Sequence, residues 1–206
     1  MEEEEIIDQI KNGNKSLYGL LIQKYNQRLY RIARAIVGKD ADLEDIMQET
    51  YIKAYQNLAQ FRKESQFSTW LIRILINNAN ATLSMKRQDL SSIPLDTEDI
   101  IDHHKSPDLS LTNEELKIIL EKAIDHLPEN LRSVFVMREI EQLSVHETAL
   151  NLGISEENVK TRLHRAKSSL KEELYSKFKM DVDLFRFAGS RCEGVFMAVM
   201  SQINQL

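Results

Sequence analysis

The sequence predicts an all-α protein: two small helical domains joined by a flexible acidic linker, the second containing a helix-turn-helix, plus a short C-terminal helical tail. Three observations carry this. Apolar residues recur every three or four positions through two long blocks, the spacing of one buried helix face. Only three prolines and six glycines occur in 206 residues, and little of the chain alternates as a half-buried strand would. Residues suited to starting helices, several paired as capping boxes, stand in front of the apolar runs.

In order, the N-terminal MEEEEIIDQI is acidic and lacks the basic and apolar regions of a secretory signal. Leu17, Leu21, Tyr25, Leu29, Ile32 and Ile36 share one helix face, and Gly38 ends that helix. Asp40 or Asp42 caps the next helix. Leu43, Met47, Thr50, Ala54 and Leu58 turn inward on it, with Ile46 and Tyr51 beside them. Asp45, Gln48, Glu49, Ile52 and Gln56 form another face, acidic and polar yet carrying an isoleucine. Periodicity leaves two readings of it, a solvated face or a docking surface for a basic helical partner.

A polar loop, about Ala59 to Gln66, is flanked by Phe61 and Phe67. Ser68 is positioned to cap a third long helix, in which Trp70, Leu71, Ile74 and Leu75 bury one side while Arg73 and Asn77 face outward. Aromatic rings beside basic residues can stack on unpaired bases, worth about 1–3 kcal/mol each. The competing reading makes Phe61, Phe67 and Trp70 core. From Arg87 to Pro107 the pattern breaks into a polar, acidic stretch holding two of the three prolines, which reads as a linker. Its adjacent His103 and His104 lack ligand geometry, and no metal or cofactor is expected.

The second block opens with the Thr112/Glu115 capping box and a helix through Leu116, Ile119, Leu120, Ala123 and Ile124. Pro128 fits the first turn of a helix carrying Leu131, Val134, Phe135 and Arg138. Ser144 and Glu147 then form a capping box, Gly153 ends a short helix, and Ser155 caps the next. Two helices joined by so tight a turn match a helix-turn-helix. On the second helix Val159, Leu163, Ala166, Leu170 and Leu174 turn inward. Asn158, Lys160, Thr161, Arg162, His164 and Arg165 turn outward. Lys160 to Lys171 holds five basic residues and no acidic one, the footprint of a helix lying along phosphates in a major groove. The bland alternative is a solvated bundle helix. The paired caps, the glycine turn and the one-sided charge favour DNA binding.

Composition narrows the classes further. A net charge of -5 and a pI near 5.6 exclude a generally basic coat protein, so the basic helix is a local, selective feature. One cysteine excludes an internal disulfide framework and suits a reducing cytoplasm. No apolar run approaches the roughly 20 residues needed to cross a bilayer. No glycine-rich phosphate loop, nucleophile elbow or cluster of metal ligands supports an enzyme. The rival class is a helix-turn-helix regulator that binds operators unaided and has no use for the first block's acidic face.

Two stretches of the first block, DLEDIMQETYIKAYQNLAQF and FSTWLIRILINN, are followed after the linker by LPENLRSVFVMREIEQLSVHETALNLGISEENVKTRLHRAKSSL. In this order the chain resembles an RNA polymerase sigma factor of the sigma-70 family, extracytoplasmic-function (ECF) group, over roughly residues 14–178. The resemblance implies a factor that binds core RNA polymerase and directs it to promoters, with no catalytic site of its own. It implies a core-polymerase contact through Asp45, Gln48, Glu49 and Ile52. It implies a minus-10 contact through Phe61, Arg62, Lys63, Ser65, Phe67, Trp70, Arg73 and Asn77, the loop capturing a flipped base. It implies a minus-35 contact through Glu157, Asn158, Lys160, Thr161, Arg162, His164 and Arg165. An anti-sigma factor is a further expected partner. The implied domains are 1–87 (region two), 88–108 (linker), 109–180 (region four) and 181–206 (extension).

The sequence departs from the family where Ala81 and Ser84 stand for an acidic residue and an arginine, weakening phosphate contacts from the third helix. It also departs where Glu157-Asn158 replaces a Gly-Thr pair, which changes base preference, since asparagine can pair with adenine. The tail is expected to form a turn and a short helix through Val195, Phe196, Val199 and Ile203, packed on the second domain or a regulator, with Cys192 buried.

Overall fold

The computed structural model describes residues 2–38, 43–90 and 112–178, and every regular element among them is helical. The expectations for Asp40 and Asp42, for the linker with His103 and His104, and for the tail with Cys192 lie outside the described residues. The elements are α1 (Glu3–Lys11), α2 (Tyr18–Val37), α3 (Leu43–Gln56), α4 (Phe67–Leu90), α5 (Asn113–His126), α6 (Glu129–Phe135), α7 (Val145–Leu152) and α8 (Glu156–Phe178).

The first half is built on α2, which packs against both α3 and α4. Leu29, Ile32 and Ala33 are fully buried on α2, facing Ala54 of α3 and Ile72, Leu75 and Ala79 of α4. Gly38 closes α2 with φ 87°, a conformation that costs a residue without Cβ little. The acidic N-terminus forms α1, whose Ile7 and Ile10 join the same core. α4 begins at Phe67, so Ser68 lies in the first turn instead of capping it, and α4 continues three residues past the expected linker boundary.

The second half has its own small clusters. Ala123 and Leu127 meet Ala166 and Leu170, and Val134 meets Ala149 and Val159. Pro128 stands at the N-cap of α6, one residue before the expected place. The helix that α6 begins then widens into a π-helical segment, Val136–Ile140. The Glu141 amide reaches back to Val136 O at 2.9 Å, a step of five residues, and the Leu143 amide to Met137 O at 2.9 Å. Gln142, with φ 55°, makes the left-handed turn that ends the element.

The two halves are not separate bodies. Residues 1–174 form one compact unit. Met137 and Leu143, from the π segment and the turn after it, are buried in the core of the first half. α6 lies against α2, and α7 against α4. Through Met137 and Leu143 the second half thus shares apolar packing with the first.

Candidate nucleic-acid interface

The helix-turn-helix is set by its caps. The Glu147 amide donates to Ser144 Oγ at 3.1 Å, and the Ser144 amide donates to Glu147 Oε2 at 2.8 Å. The Ser144 side chain and the Ser144 amide, both bonded to the Glu147 carboxylate, hold it below its usual pKa. Thr148 Oγ1 adds a bond to Ser144 O at 2.9 Å. Gly153 takes the left-handed conformation, and the Gly153 and Ile154 amides both reach Ala149 O. Ser155 Oγ accepts the Asn158 amide at 3.2 Å, starting α8. His146 Nδ1 and Glu156 Oε1, 3.0 Å apart, tie the two helix starts together.

Packing of Val159 and Ala166 inward fixes which side of α8 is free. Glu157, Asn158, Lys160, Thr161, His164 and Arg165 are exposed, and Arg162 is half-buried. The expected outward set therefore lies together on one free helix face. Lys167, one turn further on, is drawn aside to Glu139 at 3.0 Å.

The loop after α3 divides the expected minus-10 set. Phe61 and Phe67 are buried, their centroids 5.5 Å apart in an edge-to-face pair, and Phe67 also packs on Tyr25. Both rings are covered by core side chains, as the competing core reading has it. Trp70 rests on both rings but stays half-buried. It shares an open cleft of about 420 Å³ with Lys53, Asn57, Gln60, Ile74, Asn77 and Asn78. Arg62, Lys63 and Ser65 are exposed. Lys63 has φ 59° and points at α1, pairing with Asp8 at 3.0 Å and Glu4 at 3.4 Å. Lys11 of α1 donates to Phe61 O at 2.7 Å. These α1 partners were missed in the sequence, although Ile6, Ile7 and Ile10 at helical spacing were visible there. Arg73, on the outer side of α4, donates to Leu150 O of α7 at 3.3 Å.

On α3, Asp45, Gln48, Glu49 and Ile52 are all exposed. Steps of three, one and three put them on a single stripe. Ile52 keeps 49% of its surface in solvent. Among the described residues no helix is long and apolar enough to cross a membrane, and no group of three or more His, Cys, Asp or Glu is placed to hold a metal ion.

Residues 21–87 match the family model for sigma-70 region 2, and residues 117–170 match that for sigma-70 region 4. The chain is 31% identical to the ECF RNA polymerase sigma factor SigW of Bacillus subtilis over 176 residues, 82% of this chain and 94% of that protein. It is 27% identical to an ECF RNA polymerase sigma-E factor of Haemophilus influenzae over 182 residues, 84% of this chain and 96% of that protein. Among solved structures, the sigma factor RpoE of Bartonella quintana, in complex with the anti-sigma factor NepR, has the same fold. Its TM-score is 0.61 at 21% identity, covering 80% of this chain and 98% of that one. CnrH in complex with the cytosolic domain of CnrY gives a TM-score of 0.58 at 23% identity, covering 83% and 96%.

Proposed function

The chain belongs to the sigma-70 family of RNA polymerase sigma factors, in its extracytoplasmic-function group, and from that premise we propose how its surfaces divide the work. The protein is a transcription initiation factor: it binds core RNA polymerase and directs promoter-specific initiation, with core polymerase, promoter DNA and an anti-sigma factor as its partners. The observation that carries this is the pair of region matches, 21–87 and 117–170, in one chain and in that order.

The stripe Asp45, Gln48, Glu49 and Ile52 docks on core polymerase, an acidic and polar contact with one apolar anchor. Trp70, Asn77, Arg73 and the exposed loop residues Arg62, Lys63 and Ser65 meet the minus-10 element. Trp70 offers the free aromatic surface there, because Phe61 and Phe67 are spent on the core. The free face of α8 reads the minus-35 element. Glu157, Asn158 and Thr161 stand where base edges are reached, and Lys160, His164, Arg162 and Arg165 supply charge to phosphates or guanines. The bond-making site is the polymerase's, and the factor works where the polymerase does, in the cytoplasm.

The test is transcription with purified protein, bacterial core polymerase and genomic promoter fragments, followed by mapping of RNA 5′ ends. Discrete starts that depend on the protein are the expected result. Absence of core binding and of starts, with duplex DNA shifted by the protein alone, would replace this reading with that of a free-standing operator binder.

A further inference from the structure

The loop between α3 and α4 hangs between two aromatic anchors. Phe61 and Phe67 are buried, while residues 62–66 are all exposed. Within it Lys63 has φ 59°, a left-handed backbone conformation that crowds the Cβ of any residue but glycine. Such a residue keeps that conformation only where its surroundings hold it there.

The surroundings are α1. Ile7 and Ile10 are buried and seat this helix in the core. Glu4, Asp8 and Lys11 follow at steps of four and three, so they share the face turned to the loop. Lys11 Nζ donates to the Phe61 carbonyl at 2.7 Å and lies 5.6 Å from the centroid of the Phe61 ring. Lys63 Nζ donates to Asp8 Oδ2 at 3.0 Å and to Glu4 Oε2 at 3.4 Å. One stripe of α1 therefore grips the loop twice, at the carbonyl where it leaves the core and at its left-handed residue. Beside the stripe, Glu3 Oε2 accepts from the Tyr25 hydroxyl, and Tyr25 packs on Phe67 at the loop's other end.

Two effects of these contacts oppose each other. Carboxylates beside Lys63 lower the positive potential that a phosphate would meet. The same carboxylates keep the loop from sampling shapes that an unpaired base cannot enter. The geometry favours the second. The Lys11 grip is on a backbone carbonyl and acts on shape alone, and the two acids take Lys63 at the loop's most crowded backbone position.

We propose that Glu4, Asp8 and Lys11 are positioning residues for minus-10 recognition: through Lys63 and the Phe61 carbonyl, α1 holds loop 61–66 in the shape that receives the unpaired strand. The proposal rests on the promoter-reading assignment above and deepens it. Lys63 is a strut of the loop, and Arg62 and Ser65 are left exposed to the strand.

The experiment uses the full chain assembled with bacterial core polymerase. The probe is fork-junction DNA whose unpaired strand carries the minus-10 bases of a mapped start, each base then substituted in turn. Unaltered holoenzyme should prefer the mapped bases. Glu4→Gln/Asp8→Asn should reduce that preference about fivefold, the scale of two exposed ion pairs, by weakening the preferred strand and sparing the substituted ones. Lys63→Met should do the same. Adding Glu4→Gln/Asp8→Asn to it should cost nothing more, because a strut cut at either end is cut once. The slope of log affinity against log salt should not change in Lys63→Met. In the free protein, trypsin cleavage after Arg62 should accelerate by a similar factor in Glu4→Gln/Asp8→Asn. Urea denaturation and core-polymerase affinity should stay near those of the unaltered chain, and Lys63→Met carries the test if the α1 pair does not fold. Tighter binding of every strand alike would make the acids a screen on DNA charge. Additive losses, or a salt slope lower by about 1, would make Lys63 a phosphate contact. Each overturns the proposal, as do an unchanged preference, unchanged cleavage, or a loss of preference matched by equal losses of stability and core binding. Unaltered holoenzyme with no minus-10 preference would overturn the promoter-reading assignment itself, and the proposal with it.

Discussion

The Asn78 side-chain amide donates to the Thr50 hydroxyl at 3.0 Å inside the first half, joining α4 to α3 where both residues are buried. Thr50 in turn donates to Ile46 O at 2.7 Å, and Asn78 Oδ1 accepts from Lys53 Nζ at 2.7 Å. Every polar atom of this short network has a partner, so removing one leaves another unpaired away from water. Thr50→Val keeps the volume and orphans the Asn78 amide. It should cost about 1–3 kcal/mol in urea denaturation, and adding Asn78→Leu should recover much of the loss, since deleting both partners removes the unpaired group.

The capping box of α7 should make stability depend on pH. The Glu147 carboxyl is held below its ordinary value of 4.5 by bonds from Ser144. A depressed folded-state pKa stabilises above the unfolded value and loses that contribution as pH falls through the folded one. Glu147→Gln should therefore destabilise near pH 7, and the gap to the unaltered protein should narrow steadily below about pH 4.5. Ser144→Ala should cost about 1 kcal/mol at neutral pH. Thermal melts across that range would read both, and a gap that widened in acid would refute the assignment.

The sequence displayed the helices because their signals are local. Ser144, Glu147, Gly153 and Ser155 each act within four residues, and the structure places all four where the spacing put them. The stripe Asp45 to Ile52 and the free face of α8 were legible for the same reason: helical periodicity fixes direction once the buried side is known. Long-range partnerships carried no such mark. Nothing near Glu141 identifies Arg28 and Arg31 as its partners, which are more than 100 residues away, and nothing near Lys63 points to Asp8. Phe61 and Phe67 look alike as core or as stacking platforms until the fold covers their faces. The widening at Val136–Ile140 was hidden because a π turn keeps the composition of the α-helix around it.

The three aromatic residues after α3 should separate by phenotype. Phe67→Ala empties a fully enclosed site and should cost about 3–5 kcal/mol of stability, lowering every activity together. Trp70 has one open side. Trp70→Ala should lose less stability and act on promoter melting, by about 1–3 kcal/mol if it stacks on a base. Denaturation, together with permanganate footprinting of the melted strand, separates the two. Equal stability losses with unaltered melting in Trp70→Ala would place Trp70 with the core pair.

The free face of α8 should divide between reading and gripping. Arg165 and Asn158 are exposed and carry groups able to pair bidentately with guanine or adenine edges. Arg165→Ala should weaken the preferred minus-35 element by about 1–3 kcal/mol and flatten discrimination at one base position. Lys160 is a point charge beside the same groove. Lys160→Ala should weaken all sequences alike and reduce the slope of log affinity against log salt by about 1, because one fewer counterion is released. Competition of holoenzyme among minus-35 variants at several salt concentrations reads both effects at once. If Arg165→Ala lowers the salt slope and leaves base preference intact, the arginine grips phosphate, and the reading of sequence passes to Glu157, Asn158 and Thr161 at the start of the helix.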